Sequence, residues 1–110
     1  MKILGIGIDI IKVYRIEKAI KKYKQRFLSK IFTKREIFSA KNKKNRYLVF
    51  AKRFAAKEAF VKAIGTGFTN KIKFNEIEIS NDSLGKPLIS IKGKTKNIIQ
   101  NKLKLKRYKI

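Results

Sequence analysis

The sequence predicts an α+β domain, and three features predict it. A short, β-branched run punctuated by glycines opens the chain at Ile3 to Ile10. Apolar residues then recur at helical spacing through the first half and the middle. In the second half Ile72, Phe74, Ile77 and Ile79 alternate, and a turn and another short apolar run follow. The expected architecture is strands at the start and in the second half around one long central helix. With 110 residues the chain has room for one modest core, so it is one domain.

Each element has its own signal. Ile3 to Ile10 reads as a buried strand, because its glycines allow close backbone approach. Ile16, Ala19, Ile20 and Tyr23 are spaced for a helix over about 15–24. Thr33-Lys34-Arg35-Glu36 has the form of a capping box, in which hydroxyl and carboxylate satisfy each other's free backbone N–H groups. It predicts a helix from there to about Lys41, then a basic loop over 42–45. Phe50, Phe54, Val61 and Ile64 predict the long helix over about 46–64, stopped at Gly65-Thr66-Gly67. The alternation at 72–79 slips phase near Asn75-Glu76, which predicts a bulged strand or two short ones. Asp82, Gly85 and the single proline mark a turn over 81–87, and Leu88 to Ile91 is a short strand. Ile98, Ile99 and Leu103 fit a last helix over 94–104, and Tyr108 to Ile110 reads as a strand beginning.

Composition narrows the chemistry. There is no cysteine and no histidine, so there is no disulfide framework, no thiolate or imidazole ligand and no imidazole base. The longest apolar run, Ile3 to Ile11, is interrupted by Gly5, Gly7 and Asp9 and is too short to span a bilayer. It is no secretory leader either, and a cytoplasmic protein without membrane attachment is expected. The formal charge of +23 attracts polyanions: nucleic acid, an acidic protein or a phosphorylated small molecule. Abundant lysine, isoleucine and asparagine have A/T-rich codons, so genome composition accounts for part of that charge as readily as binding does.

Only seven acidic residues sit among 30 basic ones. Glu17, Glu36, Glu76, Glu78 and Asp82 have ready structural explanations on helix surfaces, at a cap or beside a turn. Asp9 closes an apolar run, where burial is expensive unless the carboxylate is paired or holds a cation. From spacing alone, capping the next segment or pairing with Arg15 is the slightly better explanation. Glu58 and Lys62 are four apart on the long helix, which is also the spacing of an ordinary surface ion pair. A pair of carboxylates with surrounding cations would suit one Mg²⁺, a hard ion that takes phosphate oxygens as further ligands. Gly65-Thr66-Gly67 presents backbone amides, yet lacks the spacing of a Walker loop.

Taken together, Gly5-Ile6-Gly7-Ile8-Asp9-Ile10 with Arg15, the run Arg53-Phe54-Ala55-Ala56-Lys57-Glu58-Ala59-Phe60-Val61-Lys62-Ala63-Ile64-Gly65-Thr66-Gly67, and Phe74 to Ile79 followed by Asn81 to Pro87 resemble the holo-acyl-carrier-protein synthase family of phosphopantetheinyl transferases. Ile31-Phe32-Thr33 with Glu36 also fits, and the resemblance covers nearly the whole chain.

It implies a phosphopantetheinyl-transferase-like fold, with the long helix packed on an antiparallel sheet. It implies transfer of 4′-phosphopantetheine from coenzyme A to a serine of apo acyl carrier protein, with Mg²⁺ and release of 3′,5′-ADP, in fatty acid biosynthesis. Asp9 and Glu58 are then the metal ligands, and Glu58 and Lys62 the catalytic pair. Lys62 contacts the coenzyme A phosphates and steadies the leaving group. Arg53, Gly65, Thr66 and Pro87 line the coenzyme A site. Arg15 and the basic first helix grip the acidic carrier. The base is either Glu58 or a water on the metal.

The resemblance also implies a homotrimer with each active site between neighbouring subunits. It implies a domain over 1–110 that lacks the family's closing C-terminal strands, since the chain ends at Ile110. Val49-Phe50 departs from the family's more usual order of aromatic then leucine. The alternative from another class is a non-enzymatic basic module binding nucleic acid through its phosphates. It is disfavoured because the basic residues are spread along the chain and no recognised motif appears, so no nucleic acid partner is expected.

Overall fold

The structure, a computed structural model, describes the backbone of residues 2–65 and 71–108 and the side chains of residues 12–65 and 71–101. Five helices and a two-stranded sheet follow in the order α1 (Lys2–Tyr23), α2 (Gln25–Ile31), α3 (Lys34–Ala40), α4 (Arg46–Ile64), a 3₁₀ turn (Phe74–Glu76), β1 (Ile77–Asn81), β2 (Pro87–Ile91) and α5 (Gly93–Tyr108). The α+β class holds, with the long helix α4 packed against β1. Three local expectations fail.

The opening run is not a strand. It is the first part of α1, which continues unbroken to Tyr23. A strand must pair its N–H and C=O groups with a neighbour, whereas a helix pairs them internally. The sheet here consists of β1 and β2 alone, and residues 3–10 pair with neither strand. Residues 72–76 also leave the sheet: Phe74 to Glu76 form the 3₁₀ turn at the point of the phase slip, and the ladder begins at Ile77. Tyr108 is helical rather than the start of a strand, and the two residues after it lie outside the described ones.

The capping box is present in full. Thr33 Oγ1 accepts from the Glu36 N–H at 3.2 Å, and Glu36 Oε1 accepts from the Thr33 N–H at 2.8 Å. Between α1 and α3 the chain makes one more helix, α2, entered through Lys24 at φ 50°. The β hairpin is closed by Asp82, whose Oδ1 accepts from the Leu84 and Lys86 N–H groups at 2.9 and 2.8 Å, with Gly85 at φ 84°.

Two apolar clusters build the core. Ile16, Phe32, Ala40, Phe50 and Ala51 join α1 to α4, with the Phe32 and Phe50 rings 4.8 Å apart. Phe50 thus fills the position where the family more often carries leucine. Val61, Ile64, Ile72, Ile77, Ile79 and Ile99 join the second half of α4 to β1 and α5. Helix α4 belongs to both clusters, and therefore holds its side chains in a fixed relation to every layer.

Candidate functional site

The residues singled out from sequence fall on two sides of α4. A helix turns by about 100° per residue, so positions 53 and 58 point roughly 140° apart, while 58 and 62 share a face.

On one side stands Glu58. Its Oε1 is shielded from solvent and accepts no hydrogen bond among the described residues. The cation found beside it is the Lys12 ammonium of α1, at 3.6 Å. That oxygen has lost its water and has gained the Lys12 ion pair but no hydrogen bond in return. Such an oxygen is the donor type that a hard divalent cation takes, so this residue fits a metal ligand. Among the described residues no three acidic side chains converge on a common point. Asp9 lies in α1, one turn before Lys12, and its side chain is outside the described ones. Lys62 follows Glu58 by one turn and is exposed. Gly65 ends the helix, with its N–H on the Val61 carbonyl at 3.2 Å and φ at 122°, a value that favours glycine. Thr66 lies outside the described residues. Arg15 is exposed on α1.

On the other side lies Arg53. Its Nη1 donates to the Glu36 carbonyl at 3.1 Å and to Ser39 Oγ at 2.8 Å. It lines a cleft of about 690 Å³ with Lys34, Arg35, Lys43, Phe38 and Asn81. The cleft is basic, and Phe38 is 73% exposed beside it. Pro87 is exposed and pairs with Asn81 across the hairpin, so it stands at the same end of the sheet. Glu58 and Lys62 thus form one group, and Arg53 and Pro87 another.

Between them runs a buried ionic network that sequence reasoning passed over. Lys57 is 0% and Glu36 1% exposed. The Lys57 ammonium donates to Glu36 Oε1 at 2.6 Å, the Ile31 carbonyl at 2.6 Å and the Phe74 carbonyl at 2.9 Å. It sits 5.0 Å from the centre of the Phe32 ring. Burial pushes the Lys57 ammonium below the ordinary lysine range; the hydrogen bond and charge of Glu36 counter this only in part. Glu36 Oε2 accepts from the Ile79 N–H at 3.1 Å.

Glu78, expected on a surface, is buried as well. Its Oε1 accepts from Thr33 Oγ1 at 2.7 Å, with Lys92 at 3.4 Å and Arg35 at 3.9 Å from the carboxylate. Burial alone would raise its pKa. The Thr33 hydroxyl, Lys92 and Arg35 outweigh burial and hold the carboxyl below the usual range. The capping box was the one readable signal here, because it places Glu36 but not its partner.

Residues 5–110 match the model of the 4′-phosphopantetheinyl transferase superfamily. The chain belongs to that superfamily. Its transferase relatives include the holo-[acyl-carrier-protein] synthase of Pelagibacter ubique, 44% identical over 98% of this chain and 83% of the relative. That of Protochlamydia amoebophila is 56% identical over 80% of this chain and 72% of the relative. Among solved transferase structures, the Bacillus anthracis holo-(acyl-carrier-protein) synthase in complex with coenzyme A (3′,5′-ADP) is 40% identical. It superposes with TM-score 0.60 over 74% of this chain and 69% of its own. The Plasmodium yoelii acyl carrier protein synthase with ADP bound is 31% identical, with TM-score 0.67 over 82% and 69%. The resemblance read from the motifs is borne out, and a transferase supersedes a nucleic-acid module as the class of this protein. Among the described residues no helix is long and apolar enough to cross a membrane.

Proposed function

We propose that this chain transfers the 4′-phosphopantetheine arm of coenzyme A to a serine of an acidic apo acyl carrier protein, in the cytoplasm and in support of fatty acid synthesis. The observation that carries the reading is the solvent-shielded Oε1 of Glu58, which accepts no hydrogen bond among the described residues and lies on the helix face that also bears Lys62. Its support is the family itself, whose Bacillus anthracis member is solved with coenzyme A (3′,5′-ADP).

In the reaction the serine oxygen bonds to the phosphorus that carries the pantetheine arm. The bond from that phosphorus to 3′,5′-ADP breaks, and the serine proton leaves to a base. Such transfers depend on placement and charge neutralisation more than on covalent help from the protein. Glu58, together with Asp9, would hold Mg²⁺, which supplies positive charge to the diphosphate oxygens when bound. Lys62 steadies the negative charge that grows on the departing phosphate. Gly65, at the end of the same helix, would offer a backbone contact to the nucleotide, and the family resemblance assigns Thr66 to the same site. The basic surface of α1, with Lys12, Arg15, Lys18 and Lys22, steers an acidic carrier toward Glu58.

Arg53 leaves α4 about 140° around the helix from Glu58, and Pro87 pairs with Asn81 beside the Arg53 cleft, so the two groups stand on different sides of the helix. A homotrimer in which one subunit's Arg53 side meets its neighbour's Glu58 side accommodates this separation.

The test is the mass of apo carrier protein after incubation with this chain, coenzyme A and Mg²⁺. A gain of one phosphopantetheine on the carrier serine is expected. An unmodified carrier, with Mg²⁺ and coenzyme A in excess, sinks the reading.

A further inference from the structure

We propose that Lys57 is a positioning residue for this transferase, setting the rotation of α4 so that Glu58 and Lys62 present their face correctly; the proposal rests on the reading of those two residues given above.

The Lys57 ammonium has three protons, and each meets an acceptor from a different part of the chain. The Ile31 carbonyl ends α2, Glu36 caps α3, and the Phe74 carbonyl opens the turn into β1. Glu36 passes the restraint onward, since its second oxygen takes the Ile79 N–H of β1. One turn earlier on the same face of α4, Arg53 ties the helix to the Glu36 carbonyl and to Ser39. Two consecutive turns of α4 are therefore held by directional bonds, where apolar packing alone would let the helix turn or slide.

The location of this clamp is what links it to chemistry. Lys57 and Glu58 are adjacent, so a rotation of the helix that loosens one displaces the other by the same angle. Stability does not explain the pair well, because a buried ion pair is commonly matched or bettered by apolar residues of similar size. Fixing a geometry is the better-attested use of buried polar groups. Reactive groups need placement to within about half an ångström, which a three-way restraint supplies and a sliding apolar contact does not.

The decisive comparison is Lys57→Met against Val61→Ala, both in the full chain. Val61 is buried on the same helix and its side chain makes none of the network's hydrogen bonds, so its truncation lowers stability without removing a directional bond. With both variants folded by circular dichroism, Lys57→Met is expected to lose at least tenfold in kcat, with KM for coenzyme A within about threefold of wild type. Val61→Ala should keep its kcat. If Lys57→Met fails to fold, Glu36→Asp, which keeps both charges but shortens the carboxylate arm, is expected to show the same loss of kcat. Wild-type kcat in folded Lys57→Met, or in folded Glu36→Asp where that variant is the one assayed, overturns the proposal while leaving the transferase reading intact. A wild-type chain that modifies no carrier overturns both.

Discussion

Glu58 and Glu36 are both glutamates on helices, and their surroundings assign them opposite tasks. Glu58 Oε1 accepts no hydrogen bond among the described residues, so removing it breaks none of those. Glu58→Ala should therefore change stability by less than about 0.5 kcal/mol, yet abolish Mg²⁺-dependent labelling of the carrier. Asp9→Ala should abolish labelling equally. Normal labelling by both variants would remove the metal assignment. Glu36→Ala should do the reverse in emphasis. It strands the buried Lys57 charge, and such a loss costs about 3–5 kcal/mol, measurable as a lowered denaturant midpoint. The sequence disclosed Glu58 through its motif and Glu36 through its capping box. It gave no sign that Lys57 and Glu78 are buried. A lysine or glutamate on a periodic helix or strand looks exposed until the partner from a distant segment is known, and Lys57's partners lie 17 to 26 residues away.

At the scale of elements, the junction between β2 and α5 has a sharply defined chemistry. Glu76 Oε1 accepts from the Thr95 hydroxyl at 2.7 Å and from the Thr95 N–H at 3.3 Å, so the carboxylate caps the start of α5. Gly93 has φ 62°, and a Cβ there would come within 1.8 Å of Glu76 Oε2. Gly93→Ala combines left-handed backbone strain with displacement of the cap and should cost about 2–3 kcal/mol by chemical denaturation. The Thr95 hydroxyl holds the Glu76 carboxyl below the usual glutamate range near 4.5. The folded state thus binds fewer protons than the unfolded one, and the stability it gains is complete above that range and lost as pH falls through the folded value. Glu76→Gln should flatten part of this acid limb; an unchanged slope would show that the cap does not titrate.

Elements with strong local signals were legible: α4 runs over the residues its periodicity marks, and the hairpin turn falls at Asp82 to Lys86. Elements that depend on tertiary pairing were not. The run Ile3 to Ile10 is compatible with either period, and in the structure it satisfies its backbone groups internally as the start of α1. Helix α2 was missed because Lys24 breaks the chain by adopting a positive φ, and nothing in Tyr23-Lys24-Gln25 announces a stop.

At the scale of the whole molecule, the arrangement of α4 decides what one chain can do alone. Arg53 belongs to the basic cleft beside β1, and Glu58 faces α1 across the thickness of the same helix. If each active site joins one subunit's Glu58 face to its neighbour's Arg53 face, inactive variants must complement each other. Glu58→Ala and Arg53→Ala should each transfer little or nothing as pure proteins. Unfolded together and refolded as an equal mixture, they form rings in which a site is intact only when an Arg53→Ala subunit supplies Glu58 and a Glu58→Ala subunit supplies Arg53. In a cyclic trimer with random assembly, each site meets both conditions about one time in four, so about a quarter of wild-type turnover should return. A site contained within one chain allows no such recovery, because every subunit in the mixture carries one of the two defects. Turnover that stays at the level of the separate variants would therefore place Arg53 and Glu58 in the service of a single subunit, or remove Arg53 from the coenzyme A site altogether.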